Sequence, residues 1–399
     1  MPGRVRSLAR SAHKRALLRA LAGSARGGSA VEPGELEQRL EATYKWLCAA
    51  QDATPDGGVA GYFDLWSGRW SGSYPETTGY IIPTFLALAE GLADDEARAR
   101  AVRMADWSCE VQMDDGAVLS GVIGTRVGPA VFNTGQVVFG WVSAYEATGE
   151  DRYASAAQKA CEWLTEQQDP DGAWRRNLSV LTHGPVHTYN GRCAWALAYA
   201  AKVLVDDRFM DAATAASDWV LAQQNDAGWF AHNSFAEDEA PLLHTISYVI
   251  EGLVGVYAFT GEERFLLAAR RALDPIAQLW HGGGLSGRLD ERWRAAASWR
   301  CPTGDAQVAV MLHRIERHCP GNDYARTARE MILDLAGLQL SLGAGRGPAA
   351  GGVPGSFPVW GAYMRFSLPN WAAKFYLDAL LLETAGVDEK SFPGLVAVE

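Results

Sequence analysis

The sequence predicts an all-α fold in which six helical hairpins, each with an inner and an outer helix, close into an (α/α)6 toroid. The first observation is a repeated Gln followed four residues later by Gly, with a first copy, Gln51 and Gly57, that carries a two-residue insertion. The other five copies are Gln112–Gly116, Gln168–Gly172, Gln224–Gly228, Gln278–Gly282 and Gln339–Gly343. Such a fixed period indicates one supersecondary unit used repeatedly.

A second series of short polar segments alternates with the first and opens apolar stretches of helical length. Its members are Thr78-Gly79, Thr134-Gly135, Asn190-Gly191, Thr245 to Ser247, Thr303-Gly304 and Asn370-Trp371. Polar residues before an apolar run are helix N-terminus signals. Each period therefore predicts two helices, which gives twelve in all.

The two predicted helices of each hairpin differ in polarity. The helices opened by the polar segments are apolar nearly all round, which is typical of buried helices, whereas those ending at the repeated Gln are amphipathic. Six buried helices surrounded by six amphipathic ones favour a closed ring. An open solenoid of hairpins is the alternative, and it would leave the apolar helices less completely buried.

The connections indicate which end of the ring carries function. Inner-to-outer connections are short, whereas outer-to-inner connections are roughly 20 to 30 residues long and should emerge at one rim. Long loops on a rigid scaffold often hold binding and catalytic residues. The inner helices also direct their N-termini at this rim, which favours anionic ligands.

Composition is typical of a large globular domain. The chain has 399 residues, of which 48% are hydrophobic, and its formal net charge is −11. No apolar run approaches the ~18 residues of a membrane span. The six cysteines match no metal-site spacing, so we expect a reduced, cytoplasmic protein without metal or cofactor.

The basic residues are concentrated at the start of the chain. Residues 1–30 contain seven Lys or Arg and no acid, so residues 1–34 are expected to be a disordered or loosely helical tail and linker before a single domain over 35–399. A basic helix on a membrane surface, which would make the protein membrane-peripheral, and an organellar transit peptide are the alternatives. The acidic body argues against nucleic acid as a partner.

The first long loop contains the strongest catalytic candidate. Glu76 lies just before an inner helix and should face the opening, where it could serve as a general acid or base, or merely cap the helix. Tyr74 precedes it. Trp66, Arg69 and Trp70 could bind a sugar substrate, although packing within the loop explains both tryptophans equally well.

Histidines and amides occupy matching positions in the next loops. His187 and His244 come just before inner helices and could transfer protons or donate hydrogen bonds, although buried structural histidines are common. Asn133, Tyr189 and Asn190 are candidate substrate contacts. Two histidines without a third ligand make a weak case for metal.

The last two loops supply further candidates. Asp305, on the first turn of its helix, is a catalytic or a capping acid. The candidate substrate contacts are Trp299, Arg300, Trp360, Arg365 and Asn370. In ring order, Glu76 should face His244 across the opening and Asn133 should face Asp305. Arginines at the mouth, Arg69, Arg126, Arg300 and Arg365, suit bidentate contacts with carboxylates.

Several segments resemble known toroid families. Gln168 to Trp174 contains Gln-x-x-x-Gly-x-Trp, which resembles the repeats of six-hairpin carbohydrate-active toroids and of terpene cyclases and prenyltransferases. The first group includes unsaturated glucuronyl hydrolases, N-acylglucosamine 2-epimerases and uronyl C5-epimerases. The segments 74–84, 301–307 and 369–375 look like those of squalene-cyclase-like proteins from bacterial exopolysaccharide gene clusters.

Both the residues and the resemblance lead to expectations about function. The sequence lacks the Asp-x-Asp-Asp motif of protonating cyclases and a clear zinc ligand set, which disfavours terpene cyclase or prenyltransferase chemistry. We therefore expect a carbohydrate-active hydrolase, lyase or epimerase that modifies an acidic, uronate-containing polysaccharide or its precursor, in exopolysaccharide biosynthesis. A non-catalytic glycan-binding or scaffold protein is the main alternative.

Overall fold

The computed structural model describes residues 14, 17–27, 31–125, 127–180, 182–339 and 347–385, and confirms the predicted (α/α)6 toroid. The outer helices are α1 (Leu36–Asp52), α3 (Asp95–Glu110), α5 (Asp151–Gln167), α7 (Asp207–Ala222), α9 (Glu263–His281) and α11 (Tyr324–Leu338). The inner helices are α2 (Pro75–Leu92), α4 (Val131–Thr148), α6 (Gly191–Leu204), α8 (Leu243–Thr260), α10 (Pro302–His318) and α12 (Asn370–Thr384).

Local sequence explains where the helices begin and end. Pro75 occupies the first turn of α2, where its missing N–H costs nothing. The Asp94 side chain caps α3 by accepting a hydrogen bond from the Ala97 N–H at 3.1 Å. Gly149 ends α4 with a φ of 71°, a left-handed conformation that glycine adopts without strain.

The inner helices pack closely because small residues lie where they meet. A Cβ on Gly79 of α2 would lie 2.4 Å from the Cα of Val137 of α4, and a Cβ on Gly140 would lie 2.5 Å from the Gly79 carbonyl oxygen. Since real Cβ atoms do not approach so closely, these glycines set the spacing of the ring. The polar side chains at the top of the inner helices are thereby brought together around the axis.

The repeated glutamines join neighbouring outer helices. The Gln168 amide donates to the Gly172 carbonyl at 3.0 Å and to the Ala212 carbonyl of the next outer helix at 2.9 Å. Gln51, Gln112 and Gln224 form the same pair of bonds. Gln339 closes the ring through Thr43 of α1 at 2.8 Å and the Gly351 carbonyl. The repeat that defines the sequence is therefore a set of inter-hairpin clamps.

A small antiparallel sheet lies at the functional rim, between the first and last loops. Strand β1 (Tyr62–Asp64) lies between β2 (Arg69–Trp70) and β3 (Ser367–Pro369), so the order is β2-β1-β3. Phe63 pairs with Trp70 on one side and with Leu368 on the other. The sheet fixes the start of α12 beside the first loop.

The described part of the basic tail forms a helix that contacts the ring. Residues 17–26 are helical, and Ala20 and Ser24 are buried. The Val359 N–H donates to the Ser24 hydroxyl at 3.0 Å, so this helix packs on the sixth rim loop. Residues 1–13, which include Arg4, Arg6 and Arg10, lie outside the described residues. None of the described helices is long and apolar enough to cross a membrane.

Candidate active site at the axis of the ring

Glu76 and Tyr74 form a hydrogen-bonded pair at the top of α2. The Tyr74 hydroxyl donates to a carboxylate oxygen of Glu76 at 2.7 Å. Burial raises the pKa of Glu76 to about 7, although the Tyr74 hydrogen bond and the charge of Arg192 both act to lower it. Glu76 is buried, with 8% of its surface exposed. A carboxyl group that titrates near neutral pH suits general acid–base catalysis.

Other inner-helix residues surround this pair. Asn133 of α4 lies beside the Tyr74 hydroxyl, yet neither of its polar atoms makes a hydrogen bond of normal geometry. The Trp371 ring approaches Tyr74 edge-on at 6.2 Å, and its indole N–H donates to the Tyr363 hydroxyl at 2.9 Å. A buried amide with no partner is an expected place for a ligand to bind.

Beneath these residues, a belt of hydrogen bonds crosses four inner helices. Arg192 of α6 donates to Glu251 of α8 at 2.6 Å and also bonds the side-chain oxygen of Gln136 of α4. Gln307 of α10 donates to the other Glu251 oxygen at 3.2 Å and contacts Nδ1 of His244 at 2.6 Å. Because a buried charge pair is stable only when it is well hydrogen-bonded, each link supports the next.

The belt fixes the tautomer of His244. Carboxylates only accept hydrogen bonds, so the Gln307 group facing Glu251 must be the amide N–H, and its oxygen must face His244. Nδ1 of His244 therefore carries the proton, and Nε2 keeps a free lone pair. Burial lowers the pKa of His244 to about 3, so the ring is neutral at pH 7. His244 can accept a proton or a hydrogen bond through Nε2.

Aromatic rings enclose the guanidinium of Arg192. Its central carbon lies 4.9 Å from the centroid of Phe139, 5.2 Å from Tyr248 and 5.3 Å from Trp195. Tyr80 and Phe375 lie at 5.5 Å and 5.7 Å. These distances are within the range of cation–π attraction. The aromatic surface of the inner ring is therefore already occupied by a cation that belongs to the protein.

A second buried ion pair lies beside the belt. Lys374 of α12 donates to Asp378 at 2.5 Å, and Asp378 accepts a further hydrogen bond from Thr84 of α2 at 2.7 Å. Burial lowers the pKa of Lys374. The three deep carboxylates Glu251, Asp305 and Asp378 are thus each engaged with a basic side chain, unlike Glu76.

Sequence reasoning missed most of the belt, although the repeat contains a signal for it. Tyr80, Gln136, Arg192 and Tyr248 occupy the same position of their inner helices, at intervals of 56 residues. All four lie in or beside the cage around Arg192. The signal in the sequence is a polar or aromatic residue at that position in four successive repeats, together with the isolated charges of Arg192 and Glu251 inside apolar helices.

His187 lies in a different environment from His244. It is buried and stacks on Tyr189 with a centroid distance of 5.0 Å. Burial lowers its pKa to about 4, so it is neutral at pH 7. Tyr189 also contacts Phe132, which in turn packs on Tyr248. Asn190 is buried, and its side-chain nitrogen has no hydrogen-bond partner. These residues support the wall of the site one hairpin away from His244.

The structure places Asp305 away from the position expected for it. Its carboxylate accepts a hydrogen bond from Arg300 at 2.9 Å, and Arg300 also pairs with Asp334 of the outer helix α11 at 2.7 Å. Asp305 thus points toward the outer ring, not across the axis at Asn133. Burial raises its pKa to about 6, against the opposing charge of Arg300. Trp299 and Arg300 line the outer flank with it.

The remaining predicted contacts are divided between the mouth and the interior. Trp66, Arg69, Trp360 and Arg365 are exposed at the rim, whereas Trp70 packs on Trp46 and Phe63. Neither Arg69 nor Arg365 forms an ion pair within the described chain. Asn370 is buried and donates to the Ala60 carbonyl and the Thr77 hydroxyl, so part of its role is structural. Arg126 lies outside the described residues.

Comparisons with known proteins support the fold and leave the family open. No family model matches the chain. A curated protein, copalyl diphosphate synthase of Streptomyces cyslabdanicus, is 25% identical over 241 residues, which are 60% of this chain and 38% of that protein. The chain therefore spans less than half the length of this relative.

Solved structures of sugar-processing enzymes share the toroid. An unsaturated glucuronyl hydrolase from Bacillus sp. GL1 superposes with a TM-score of 0.69 at 16% identity, over 88% of this chain and 97% of that one. Cellobiose 2-epimerase from Bacillus thermoamylovorans gives 0.68 at 12% identity, over 87% and 98%. At these identities the similarity establishes the fold.

Two statements about ligands follow from the described residues. No group of three or more His, Cys, Asp and Glu side chains in that part of the chain is arranged to hold a metal ion. The groups able to exchange protons at the axis are Glu76, with its Tyr74 partner, and neutral His244. The site can therefore perform acid–base chemistry with its own side chains.

Proposed function

We propose that this protein is a carbohydrate-active enzyme that moves a proton on a uronate-containing saccharide, with Glu76 as the general acid and base. The observation that supports this most directly is the buried Glu76 carboxyl, whose pKa burial raises to about 7 and whose hydrogen-bond partner among the described residues is the Tyr74 hydroxyl. At neutral pH both of its forms are populated. The ionised form accepts a proton and the neutral form donates one.

The pairing of the other carboxylates favours proton abstraction over hydrolysis. Glycoside hydrolysis ordinarily needs two carboxyl groups on either side of the scissile bond. Glu251, Asp305 and Asp378 are all engaged in ion pairs, so they are poor partners for Glu76. Abstraction of the C5 proton of a uronate needs one base, because the adjacent carboxylate acidifies that C–H bond.

Two outcomes of this abstraction balance chemically. In an epimerase, the C5 proton leaves as the C–H bond breaks, and a proton returns to the opposite face of C5. In a lyase, the electron pair forms a C4–C5 double bond as the C4–O bond breaks, and the leaving oxygen takes up a proton. In the lyase, ionised Glu76 is proposed to accept the C5 proton and, once neutral, to give a proton to the leaving oxygen. In the epimerase, Nε2 of His244 is proposed to accept the C5 proton on one face while neutral Glu76 donates a proton on the other. The Tyr74 hydroxyl stabilises the ionised form of Glu76.

The charge pattern of the rim supports an anionic substrate. Six inner helices begin there, and Arg69 and Arg365 are exposed and unpaired among the described residues. We propose that these arginines, with the helix N-termini, hold substrate carboxylates. Arg192 and Arg300 already form ion pairs within the protein. We therefore propose that they add to the electrostatic potential of the site and do not contact the substrate directly. Polysaccharide biosynthesis remains the proposed setting.

A second candidate is cyclisation of a polyprenyl diphosphate, which the curated relative favours. Such chemistry uses aromatic faces to stabilise carbocations. The faces of Phe139, Trp195 and Tyr248 are occupied by Arg192, whose charge would repel a carbocation. The Asp-x-Asp-Asp acid is also missing from the sequence. We therefore rank this candidate second.

The test is an NMR assay of the purified protein with uronate-containing polysaccharides in D2O. Deuterium at C5 would establish an epimerase, and a new unsaturated ring signal would establish a lyase. Glu76→Gln should lower turnover about 10²- to 10⁴-fold with little change in affinity. Glu90→Gln, an exposed position on the same helix, is the matched control.

Other outcomes identify the alternatives. Binding of a uronate polymer with no chemical change, unaltered by Glu76→Gln, would indicate a glycan-binding protein and overturn the proposal. New reducing ends without deuterium at C5 would indicate hydrolysis. Consumption of geranylgeranyl diphosphate, with no response to any saccharide, would replace the proposal with the second candidate.

A further inference from the structure

One of the six junctions between hairpins has no glutamine clamp among the described residues; there Nε2 of His281 of α9 contacts the Thr327 hydroxyl of α11 at 3.1 Å instead. Gln278 of α9 is exposed and its side chain forms no hydrogen bond with a described residue, whereas Gln168 and its equivalents bond the next outer helix. A Cβ on Gly172 would lie 2.2 Å from the Ala215 carbonyl, but one on Gly283 or Gly284 would meet nothing within 4 Å. The end of α9 therefore lacks both the glutamine bonds and the close approach to the next outer helix that Gln168 and Gly172 make.

The open junction forms a groove on the outer flank of the ring. Its volume is about 630 Å³, and it lies between the end of α9, the middle of α11 and the fifth rim loop. Trp280 and Trp299 provide its aromatic surface, and its polar groups are the exposed Ser298 and the partly exposed Glu330 and Asp334. Small residues, Gly283 and Gly284 among them, line the rest. A concave surface with aromatic walls and a few polar groups is typical of a small-molecule site.

The charges in the groove are already balanced or negative. Arg300 lies between Asp305 at 2.9 Å and Asp334 at 2.7 Å, with its guanidinium carbon 5.6 Å from the Trp280 centroid. Glu330 pairs with Arg326 at 2.7 Å. The two basic side chains that line the groove, Arg300 and His281, both lie beside carboxylates, and Nδ1 of His281 is 3.9 Å from Glu330. Two partly exposed carboxylates would repel an anion.

We propose that this groove is a binding site for neutral pyranose residues of a saccharide chain, separate from the axial site. The apolar C–H face of a pyranose ring can pack on the indole of Trp299, as amphipathic aromatic side chains allow. Its hydroxyls can donate to Asp334 and Glu330, which accept through their remaining lone pairs. This site differs in charge preference from the axial one and does not depend on the function proposed above.

The experiment follows the indole N–H signals of 15N-labelled tryptophans during titration. Maltohexaose, cellohexaose and mannohexaose are the neutral probes, and hexagalacturonate is the anionic one. We expect a neutral probe to shift two indole signals at concentrations of about 0.1 to 10 mM, with hexagalacturonate at least tenfold weaker at those signals. Trp299→Ala should weaken binding at least tenfold. Trp360→Ala, an exposed tryptophan at the mouth, is the matched control and should leave the affinity unchanged.

A second variant keeps the test decisive if Trp299→Ala does not fold. Ser298 is exposed and lines the groove, so Ser298→Trp should fill it and abolish the shifts without changing the thermal unfolding midpoint. Glu76→Gln should leave this binding intact, which separates it from the axial function. Absence of shifts with every neutral probe, shifts that persist in Ser298→Trp, or tighter binding of hexagalacturonate would each overturn the proposal.

Discussion

Nδ1 of His244 lies 2.6 Å from the side-chain oxygen of Gln307, whose amide nitrogen donates to Glu251. This contact connects the tautomer of His244 to the ion pair between Glu251 and Arg192. Arg192 holds Glu251, Glu251 orients Gln307, and Gln307 selects the proton position on His244. The tautomer of His244, the proton acceptor proposed at the axis, is therefore set by the residues hydrogen-bonded behind it.

Replacing Gln307 with Leu should release the tautomer of His244. In the natural protein we expect 15N NMR to show the Nδ1–H form at pH 7, and in Gln307→Leu a mixture of both forms. Turnover should fall about 10²-fold, since the lone pair no longer faces the substrate in every molecule. Gln136→Leu alters the belt at its other end and should leave the tautomer unchanged. A pure Nδ1–H form in Gln307→Leu would contradict the positioning role.

Glu76 should make the protein less stable as the pH rises. Its pKa rises from 4.5 in the unfolded chain to about 7 in the folded one, so the folded state binds more protons between these values. Stability is therefore lost as pH increases through this window, by at most about 3 kcal/mol. Glu76→Gln should flatten the pH dependence of the free energy of unfolding between pH 5 and 8. Glu90→Gln should not, and equal slopes in both variants would refute the burial effect.

Replacing Arg192 alone should lower the free energy of unfolding more than replacing both Arg192 and Glu251. Both Arg192 and Glu251 are buried with side chains 3% exposed. Arg192→Met leaves Glu251 as an uncompensated charge, which should cost about 3–5 kcal/mol in denaturant unfolding. Adding Glu251→Gln removes the stranded charge, so the double variant should recover part of that loss. If the two single effects simply add, the buried pair is not energetically coupled.

The clamp glutamines provide a comparison within one chain. Gln168→Ala removes two hydrogen bonds to partly buried carbonyl groups and should lower the free energy of unfolding by about 1–3 kcal/mol. Gln278→Ala changes an exposed side chain without such bonds and should stay within about 0.5 kcal/mol. Urea unfolding of both variants is the measurement. Similar losses at the two positions would show that the motif does not act as a clamp.

The ring could be predicted from the sequence because the repeated Gln and Gly residues make contacts that recur between successive hairpins. Gln168 recurs in the repeat because its side chain must bond the next outer helix. Gly172 recurs because a side chain at that position would collide with the same helix. The polar starts of the inner helices also predicted that Glu76, Tyr74 and His244 would lie at the rim around the axis. These residues adjoin Tyr248, which contacts His244 with a ring distance of 4.3 Å.

The prediction for Asp305 was wrong because the order of the hairpins gives the position of a residue around the ring but not the direction in which its side chain points. Asp305 occupies the expected hairpin, yet its side chain points outward because Arg300 and Asp334 draw it toward α11. The helix carries several polar faces, and only tertiary packing decides which one meets the axis. Arg192 and Glu251 were overlooked because charges inside apolar helices contribute little to a hydrophobic pattern. Only the packing of α6 against α8 shows that the two residues form an ion pair.

Ring closure also orders the events of synthesis on the ribosome. The contact between Gln339 and Thr43 joins residues separated by 296 positions. Until the sixth hairpin has been synthesised, one flank of α1 lacks the helix α11 that packs beside it. The apolar inner helices are meanwhile exposed on one side of a growing arc. Translation of the last hairpin is thus the step at which this chain ceases to need protection from aggregation.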